Sequence, residues 1–227
     1  MAVEEESLAL DSPAGPTGAT VAHLLAHASG LGPDGGVLAP PGVRRIYSNA
    51  GFDVVAEAVV AATGIAFSTY LAEAVLEPLG MDGTTLDGSP AWGATSTAAD
   101  LARLAGELLA PRVLAPTTLD EATRVAFPGL DGVLPGYGRQ RPNDWGLGFE
   151  VRGTKAPHWT GAASSPATFG HFGRSGTFLW VDPAAGLACV VLTDLAFGPW
   201  AVQAWPALTD AVLAAHGGSV SGGAARG

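Results

Sequence analysis

The sequence predicts an α+β protein in which helices cover an antiparallel sheet. Helical patterns fill most of residues 1–128, strand patterns around a turn follow in residues 129–216, and an apolar helix closes this second part. Runs of helices followed by runs of strands are typical of α+β folds. We interpret the two parts as one domain, followed by a tail, residues 217–227, whose small and polar composition predicts disorder.

Helical spacing, capping residues and helix breakers predict the helices of the first part. Apolar residues recur at helical spacing in residues 50–63, and Gly64 provides a C-terminal stop. Thr97 and Asp100 resemble a capping box, with Asp in place of the usual Glu. The predicted helices comprise residues 20–28, 50–63, 68 to Pro78, 97–110 and 116–127.

Three strands are predicted in the second part. Residues 145–151 form the first, and two β-rich runs, 177–181 and 187–193, flank a Pro/Gly turn that is typical of a hairpin. The glycine- and proline-rich segment 129–144 is predicted to be a loop. The remaining predicted elements are a second loop, 153–168, and a closing helix, 199–216, interrupted by Pro206.

Composition excludes some partners. The 227 residues carry a formal net charge of −10, so the chain lacks the basic surface expected of a nucleic-acid-binding protein. No apolar stretch reaches the roughly 20 residues that a membrane span needs, and the acidic start does not resemble a signal peptide. The composition leaves the oligomeric state and the cellular compartment open.

Candidate metal ligands are sparse, and we expect no metal or other cofactor. His23 and His27 are four residues apart, as in zinc-binding pairs, but no Glu follows His23 as the metalloprotease motif requires. We therefore interpret them as packed or loop-bracing histidines. The single cysteine, Cys189, lies in an apolar run and is interpreted as a buried structural thiol.

Six short motifs occur in a characteristic order. Tyr47-Ser48-Asn49 stands directly before a predicted helix, and residues 169–173 (FGHFG) lie far downstream. The other four motifs are HLLAHASGL at 23–31, EPLGM at 77–81, STAADL at 96–101 and WGLGF at 145–149. Together they resemble the serine β-lactamase and penicillin-binding-protein superfamily, above all the class C β-lactamase-like esterases and D-aminopeptidases. This resemblance implies a β-lactamase-like fold, with an antiparallel sheet flanked by helices and a helical subdomain.

The resemblance also implies roles for five residues in acyl transfer from an ester or amide. Tyr47 would share the proton transfers, and His171 would occupy the cationic position of the third motif, where it orients or protonates. Asn49 would bind the substrate, and Gly173 would let its backbone approach closely. The N–H of Arg174 would supply half of the oxyanion hole.

The nucleophile that serves these residues in the family is missing. The family takes it from Ser-x-x-Lys, but the only lysine here is Lys155, and Arg152 stands three residues before it. Residues 3–13 resemble the segment that follows the nucleophile helix, so we expect an N-terminally truncated chain that lacks this helix and two strands of the sheet. The complete form would hydrolyse small-molecule esters, β-lactams or D-amino-acid amides, with the loops 129–144 and 153–168 shaping its pocket. The chain as given would be inactive; the alternative is a non-catalytic ligand-binding or structural remnant of the fold.

Overall fold

A computed structural model describes residues 1–217 of the chain, so the predicted disordered tail lies outside the described residues except for Gly217. The described part contains helices and antiparallel strands in the predicted order, which confirms the α+β class. The helices are α1 (Val21–Leu25), α2 (Asn49–Thr63), α3 (Phe67–Leu71), α4 (Ala98–Leu109), α5 (Pro116–Thr123) and α6 (Pro199–His216). The strands are β1 (Thr85–Leu86), β2 (Ala94–Thr95), β3 (Gly132–Leu134), β4 (Gly138–Gln140), β5 (Glu150–Val151), β6 (Phe169–Phe172), β7 (Phe178–Asp182) and β8 (Leu187–Val191).

Side-chain caps explain where α2 and α4 begin, and the predicted Gly64 stop explains where α2 ends. The Ser48 side chain accepts a hydrogen bond from the N–H of Gly51, which fixes the first turn of α2 directly after Tyr47. Gly64 ends α2 in the left-handed conformation, with φ of 72°. At α4, the Thr97 side chain accepts from the N–H of Asp100, as in the first half of a capping box.

Four predicted helices differ from the structure in extent or continuity. Helix α1 ends at Leu25, because His27 takes a left-handed conformation with φ of 54°. Helix α5 ends at Thr123, where the chain becomes extended. Helix α3 runs into a π-helical turn, Ala72–Leu76. Helix α6 passes through Pro206 without a break, and its residues Ala201, Trp205, Thr209 and Leu213 form one buried stripe.

The main sheet is antiparallel, with strand order β5-β6-β7-β8. The predicted hairpin is confirmed, since β7 pairs with β8 and Leu179 lies opposite Val190. The prediction of a strand over 145–151 was wrong for most of its length, and only Glu150–Val151 belongs to the sheet. Gly148 has φ of 91°, and the N–H groups of Leu147 and Gly148 donate to carbonyls of helical segments, so this stretch turns instead of extending. The segment 129–144 was predicted to be a loop but contains the β3–β4 hairpin.

Both faces of the sheet are covered. Along β7 the side chains alternate, so that Phe178 and Trp180 pack with the α6 residue Trp205 on one face. On the other face, Val181 packs with Leu108 of α4 and with residues of α5, β5 and β6. Helix α4 belongs to the first part of the sequence and also contacts β8, so the two parts of the chain meet at the sheet.

Strand β8 forms one edge of the sheet in the described residues, and all five of its side chains are half-buried. Cys189 on this strand is half-buried rather than fully buried, and burial raises the pKa of its thiol. Within residues 1–217 no single helix is long and apolar enough to cross a membrane. The pair Asn49–Thr63 and Phe67–Leu76 meets that test only together, and it is bent by 86°.

Candidate active site

The structure brings Tyr47 and His171 together. Tyr47 immediately precedes the Ser48 cap of α2, whereas His171 lies on β6 opposite Leu179 of β7. The two rings have centroids 5.8 Å apart and planes inclined by 36°. Residues 124 positions apart in the sequence thus meet where the start of α2 faces the sheet, as the motif order predicts.

Two further rings complete an aromatic cluster around this pair. His27 packs against Tyr47 with centroids 4.5 Å apart, and it meets the edge of Trp145 at 4.4 Å. Trp145 in turn lies 5.7 Å from His171, again measured between ring centroids. The Nδ1 atom of buried His27 accepts a hydrogen bond of 3.1 Å from the N–H of Ser48. His27 is therefore a bracing histidine, as expected, and it fixes the backbone on which Tyr47 stands.

The cluster is uncharged near neutral pH. Burial lowers the pKa of His27 to about 3, with smaller contributions from His171 and Arg45. Burial also lowers the pKa of His171, although the carboxylate of Glu150 opposes this shift. Burial raises the pKa of the Tyr47 phenol. Desolvation disfavours charged forms of all three groups, so the expectation of a cation at His171 is not supported in this chain.

The remaining predicted site residues have different surroundings. Asn49 is half-buried in the first turn of α2, and its side chain makes no hydrogen bond within residues 1–217. The N–H of Gly173 donates to the carbonyl of Thr177 at 2.9 Å, which closes the turn after β6. Arg174 is exposed, and its carbonyl accepts from the N–H of Phe197. In the described part of the chain the N–H of Arg174 has no protein acceptor, so it is free to donate a hydrogen bond.

Two serine hydroxyl groups within the motifs are already engaged. The Ser48 hydroxyl donates to the carbonyl of Gly32 at 2.8 Å and accepts from the N–H of Gly51. The buried Ser29 hydroxyl accepts from the N–H of Leu31 at 3.3 Å. Both residues therefore have structural roles, and neither is placed as a free nucleophile.

A buried ionic cluster that the sequence motifs did not reveal lies beside the site. Lys155 forms an ion pair with Glu150, and the side chains of both are almost fully buried. Glu150 also accepts from His158 at 2.9 Å and from the indole N–H of Trp159 at 2.8 Å. The ionic partners hold the pKa of Glu150 at about 2 despite its burial. The only lysine of the chain is thus committed to Glu150 and is not available to Tyr47.

Elsewhere in residues 1–217, no three His, Cys, Asp or Glu side chains are grouped as metal ligands.

A cavity of about 470 Å³ opens beside Tyr47. The β3–β4 hairpin forms one wall, so the prediction that segment 129–144 shapes the pocket is supported, whereas no residue of 153–168 lines this cavity. In that second segment Trp159 packs in the core instead. The residues that line the cavity are Pro33, Arg44, Arg45, Ile46, Tyr47, Asp131, Gly132, Val133, Pro135 and Arg139.

Comparison with known proteins identifies the family. A family model described as Beta-lactamase matches residues 1–214. The chain belongs to the beta-lactamase family. This confirms the resemblance drawn from the six motifs and the β-lactamase-like fold implied by it.

Solved structures similar to this chain agree with the family assignment and with the fold. The chain is 62% identical to a beta-lactamase from Mycobacterium bovis, with a TM-score of 0.93, covering 95% of this chain and 80% of that one. A mutant of the simvastatin synthase LovD from Aspergillus terreus is 19% identical, with a TM-score of 0.70, covering 92% of this chain and 77% of that one. SurE with D-Leu is 23% identical, with a TM-score of 0.69, covering 100% of this chain and 62% of that one. The last two show the fold alone. No curated protein matches the chain.

Proposed function

We propose that Tyr47, His171, Asn49, Gly173 and Arg174 are the acyl-transfer residues of a serine hydrolase that acts on esters, β-lactams or D-amino-acid amides in its complete form. The observation that carries this proposal is the meeting of Tyr47 and His171, with ring centroids 5.8 Å apart, beside an open cavity. Groups that act on one carbonyl must reach the same point.

In the proposed reaction, the hydroxyl of the family's nucleophilic serine adds to the substrate carbonyl and forms a tetrahedral oxyanion. The free N–H of Arg174 would donate to that oxyanion. The serine proton would pass to the Tyr47 phenolate, the form that the lysine of Ser-x-x-Lys would favour in the complete protein. The tetrahedral intermediate would then break its bond to the leaving group, which takes this proton from Tyr47, so that an acyl-enzyme remains. His171 would be neutral in this reaction. It would position the Tyr47 ring and act as a hydrogen-bond donor, not as a cation.

The chain as given would not complete this reaction. Burial raises the pKa of Tyr47, so the phenol keeps its proton at neutral pH. A lysine cation next to the phenol would lower that pKa, but Lys155 is buried in its ion pair with Glu150. Without Ser-x-x-Lys the chain has neither the family nucleophile nor the cation that activates Tyr47.

The experiment compares the chain alone with a fusion that carries a Ser-x-x-Lys helix of a family member ahead of Met1. Nitrocefin, p-nitrophenyl esters and D-amino-acid p-nitroanilides are the substrates, and a fluorescent penicillin reports covalent labelling. We expect background rates and no label for the chain alone, and turnover of at least one substrate class by the fusion. A label on any serine of the chain alone would show that a replacement nucleophile exists.

The alternative function is a non-catalytic module that binds ligands in the same cavity. The engaged hydroxyls of Ser29 and Ser48 and the buried Lys155 favour it, because none of these three groups is free to replace the missing catalytic pair. A chain that is monomeric, melts cooperatively on its own and binds small molecules beside Tyr47, together with a fusion that stays inactive, would favour this alternative.

A further inference from the structure

We propose that the cavity beside Tyr47 binds the carboxylate of an anionic substrate, whose apolar body lies against Ile46, Val133 and Pro135. This inference rests on the proposed function, because it takes Tyr47 to mark the reacting carbonyl. It adds the class of substrate: an ester or amide with a free carboxylate on the part that enters the cavity.

The first argument is the distribution of charge. The whole chain has a formal net charge of −10, yet three arginines and a single acidic residue, Asp131, are among the residues that line this cavity. The arginines are Arg44, Arg45 and Arg139. A concave site with an excess of one sign of charge attracts ligands of the opposite sign. An anionic substrate would therefore be drawn to this cavity rather than to the acidic remainder of the surface.

The second argument is that the one carboxylate is already neutralised. Asp131 pairs with Arg139 at 3.0 Å and with Arg141 at 3.1 Å. Two guanidinium groups thus share one carboxylate, and both remain more than half exposed. Arg139 keeps N–H groups that can donate to a second carboxylate, since a guanidinium carries five donors.

The third argument is the unusual state of Arg45. Its side chain is only 4% exposed, and it forms no ion pair with a carboxylate of residues 1–217. Its N–H groups donate instead to the carbonyls of Ala26 at 2.6 Å, Asn143 at 3.1 Å and Phe127 at 3.0 Å, and also to that of Ala126. Burial lowers the pKa of Arg45 only to about 10, so it stays charged at neutral pH. The Asp144 carboxylate opposes this shift without forming an ion pair with Arg45. A buried cation is screened little by solvent, so the charge of Arg45 would favour an anion in the cavity.

The three arginines would contribute to binding in different ways. Arg45 has its donors occupied and contributes its charge. Arg44 is exposed, and its guanidinium makes a single long bond of 3.4 Å to the carbonyl of Leu38, so it is free to turn towards a ligand. Arg44 and Arg139 are therefore the residues that would contact the carboxylate directly, with the geometry that guanidinium groups offer to carboxylates. Pro135, Val133 and Ile46 provide apolar contacts.

The test measures binding of two probes of the same shape, phenylpropionate and its neutral amide, phenylpropionamide. Calorimetry gives the affinities, and the NMR signals of the Ile46 and Val133 methyl groups report the location. We expect the carboxylate to bind about tenfold more tightly than the amide, the typical gain from a charge-assisted hydrogen bond. Added salt should reduce this difference.

Variants separate the contributions. Arg44→Gln and Arg139→Gln should each weaken carboxylate binding about three- to tenfold and leave amide binding unchanged. Asp131→Asn removes the only carboxylate of the lining and should tighten carboxylate binding. Arg112→Gln is the matched control, because Arg112 is exposed and does not line the cavity.

Three results would overturn the inference. If both probes shift the Ile46 and Val133 signals with equal affinity, the cavity is a substrate site without a preference for anions, and the proposed function stands. If neither probe shifts those signals, the inference fails and the proposed substrate cleft fails with it. Equal weakening by Arg112→Gln and Arg139→Gln would assign the effect to the overall charge and also contradict the proposal.

Discussion

Replacing His27 by Asn should remove a large part of the acid sensitivity of this protein. The folded state holds the pKa of His27 at about 3, because the ring is buried against Tyr47, Phe52 and Trp145. An unfolded histidine has a pKa of about 6.5. The unfolded chain therefore binds the proton more strongly, and stability falls as the pH drops below about 6.5 towards the folded value.

The magnitude follows from the two pKa values. Each pH unit between them changes the free energy of unfolding by about 1.4 kcal/mol per histidine. At about pH 5, His27 alone should cost the folded state roughly 2 kcal/mol relative to pH 7. Burial also lowers the pKa values of His171, His158 and His23, so the natural chain should lose more than this.

Asn is the informative replacement. Its side-chain oxygen can accept the N–H of Ser48 as Nδ1 of His27 does, and Asn tolerates the left-handed backbone of position 27, where φ is 54°. At neutral pH the variant should be less stable by about 1–3 kcal/mol, since the ring packing is lost. Urea unfolding at several pH values from about 7.5 to 5 should show that the difference in free energy of unfolding between the parent chain and the variant falls by roughly 2 kcal/mol. A gap that stays constant with pH would refute the reasoning, because His27 would then not be held neutral.

Three other predictions follow from the structure. Glu150→Gln leaves buried Lys155 without its ionic partner and should lower the free energy of unfolding by about 3–5 kcal/mol in urea. The control Glu121→Gln, at an exposed side chain, should change the free energy of unfolding little. Equal effects of the two variants would contradict the stabilising role of the ion pair. A spectrophotometric titration of the chain, with Tyr47→Phe as the reference that lacks this phenol, should show that Tyr47 ionises above about pH 10. Ionisation of Tyr47 near neutral pH would contradict the conclusion that the cluster is uncharged. The exposed β8 edge should make the chain prone to aggregation. Leu192 is 42% exposed, and Leu192→Lys should reduce light scattering without changing the helix content. Unchanged scattering would exclude this edge as the cause of aggregation.

Much of the fold could be read from the sequence where local signals act alone. The Thr97 cap and the Gly64 stop are set by neighbouring residues, and the structure has both. Element ends that depend on distant contacts were missed. The segment after Trp145 resembles a strand in composition, but its N–H groups are taken by carbonyls of Ala122 and Leu25, which no local pattern reveals.

In the candidate site, too, some features could be predicted from the sequence and others depend on distant contacts. The order of the motifs, which is typical of the family, predicted that Tyr47 and His171 meet, and their ring centroids lie 5.8 Å apart. The charge of His171 could not be predicted, since it depends on burial by residues from other elements. The Lys155–Glu150 pair had one signal in the sequence, the fact that the chain has a single lysine, but nothing there identified its partner.

Acylation of two matched tyrosine variants tests the central claim most directly. In the fusion that carries a Ser-x-x-Lys helix, Tyr47→Phe removes the proposed proton shuttle, and Tyr70→Phe removes a phenol that donates to Glu5 at 2.7 Å, outside the site. The burst of p-nitrophenol from an activated ester should be slowed about 10²- to 10⁴-fold by Tyr47→Phe, as expected for loss of a general acid–base group, and unchanged by Tyr70→Phe. A burst as fast in Tyr47→Phe as in the parent fusion would contradict the assignment of this cluster as the acyl-transfer site.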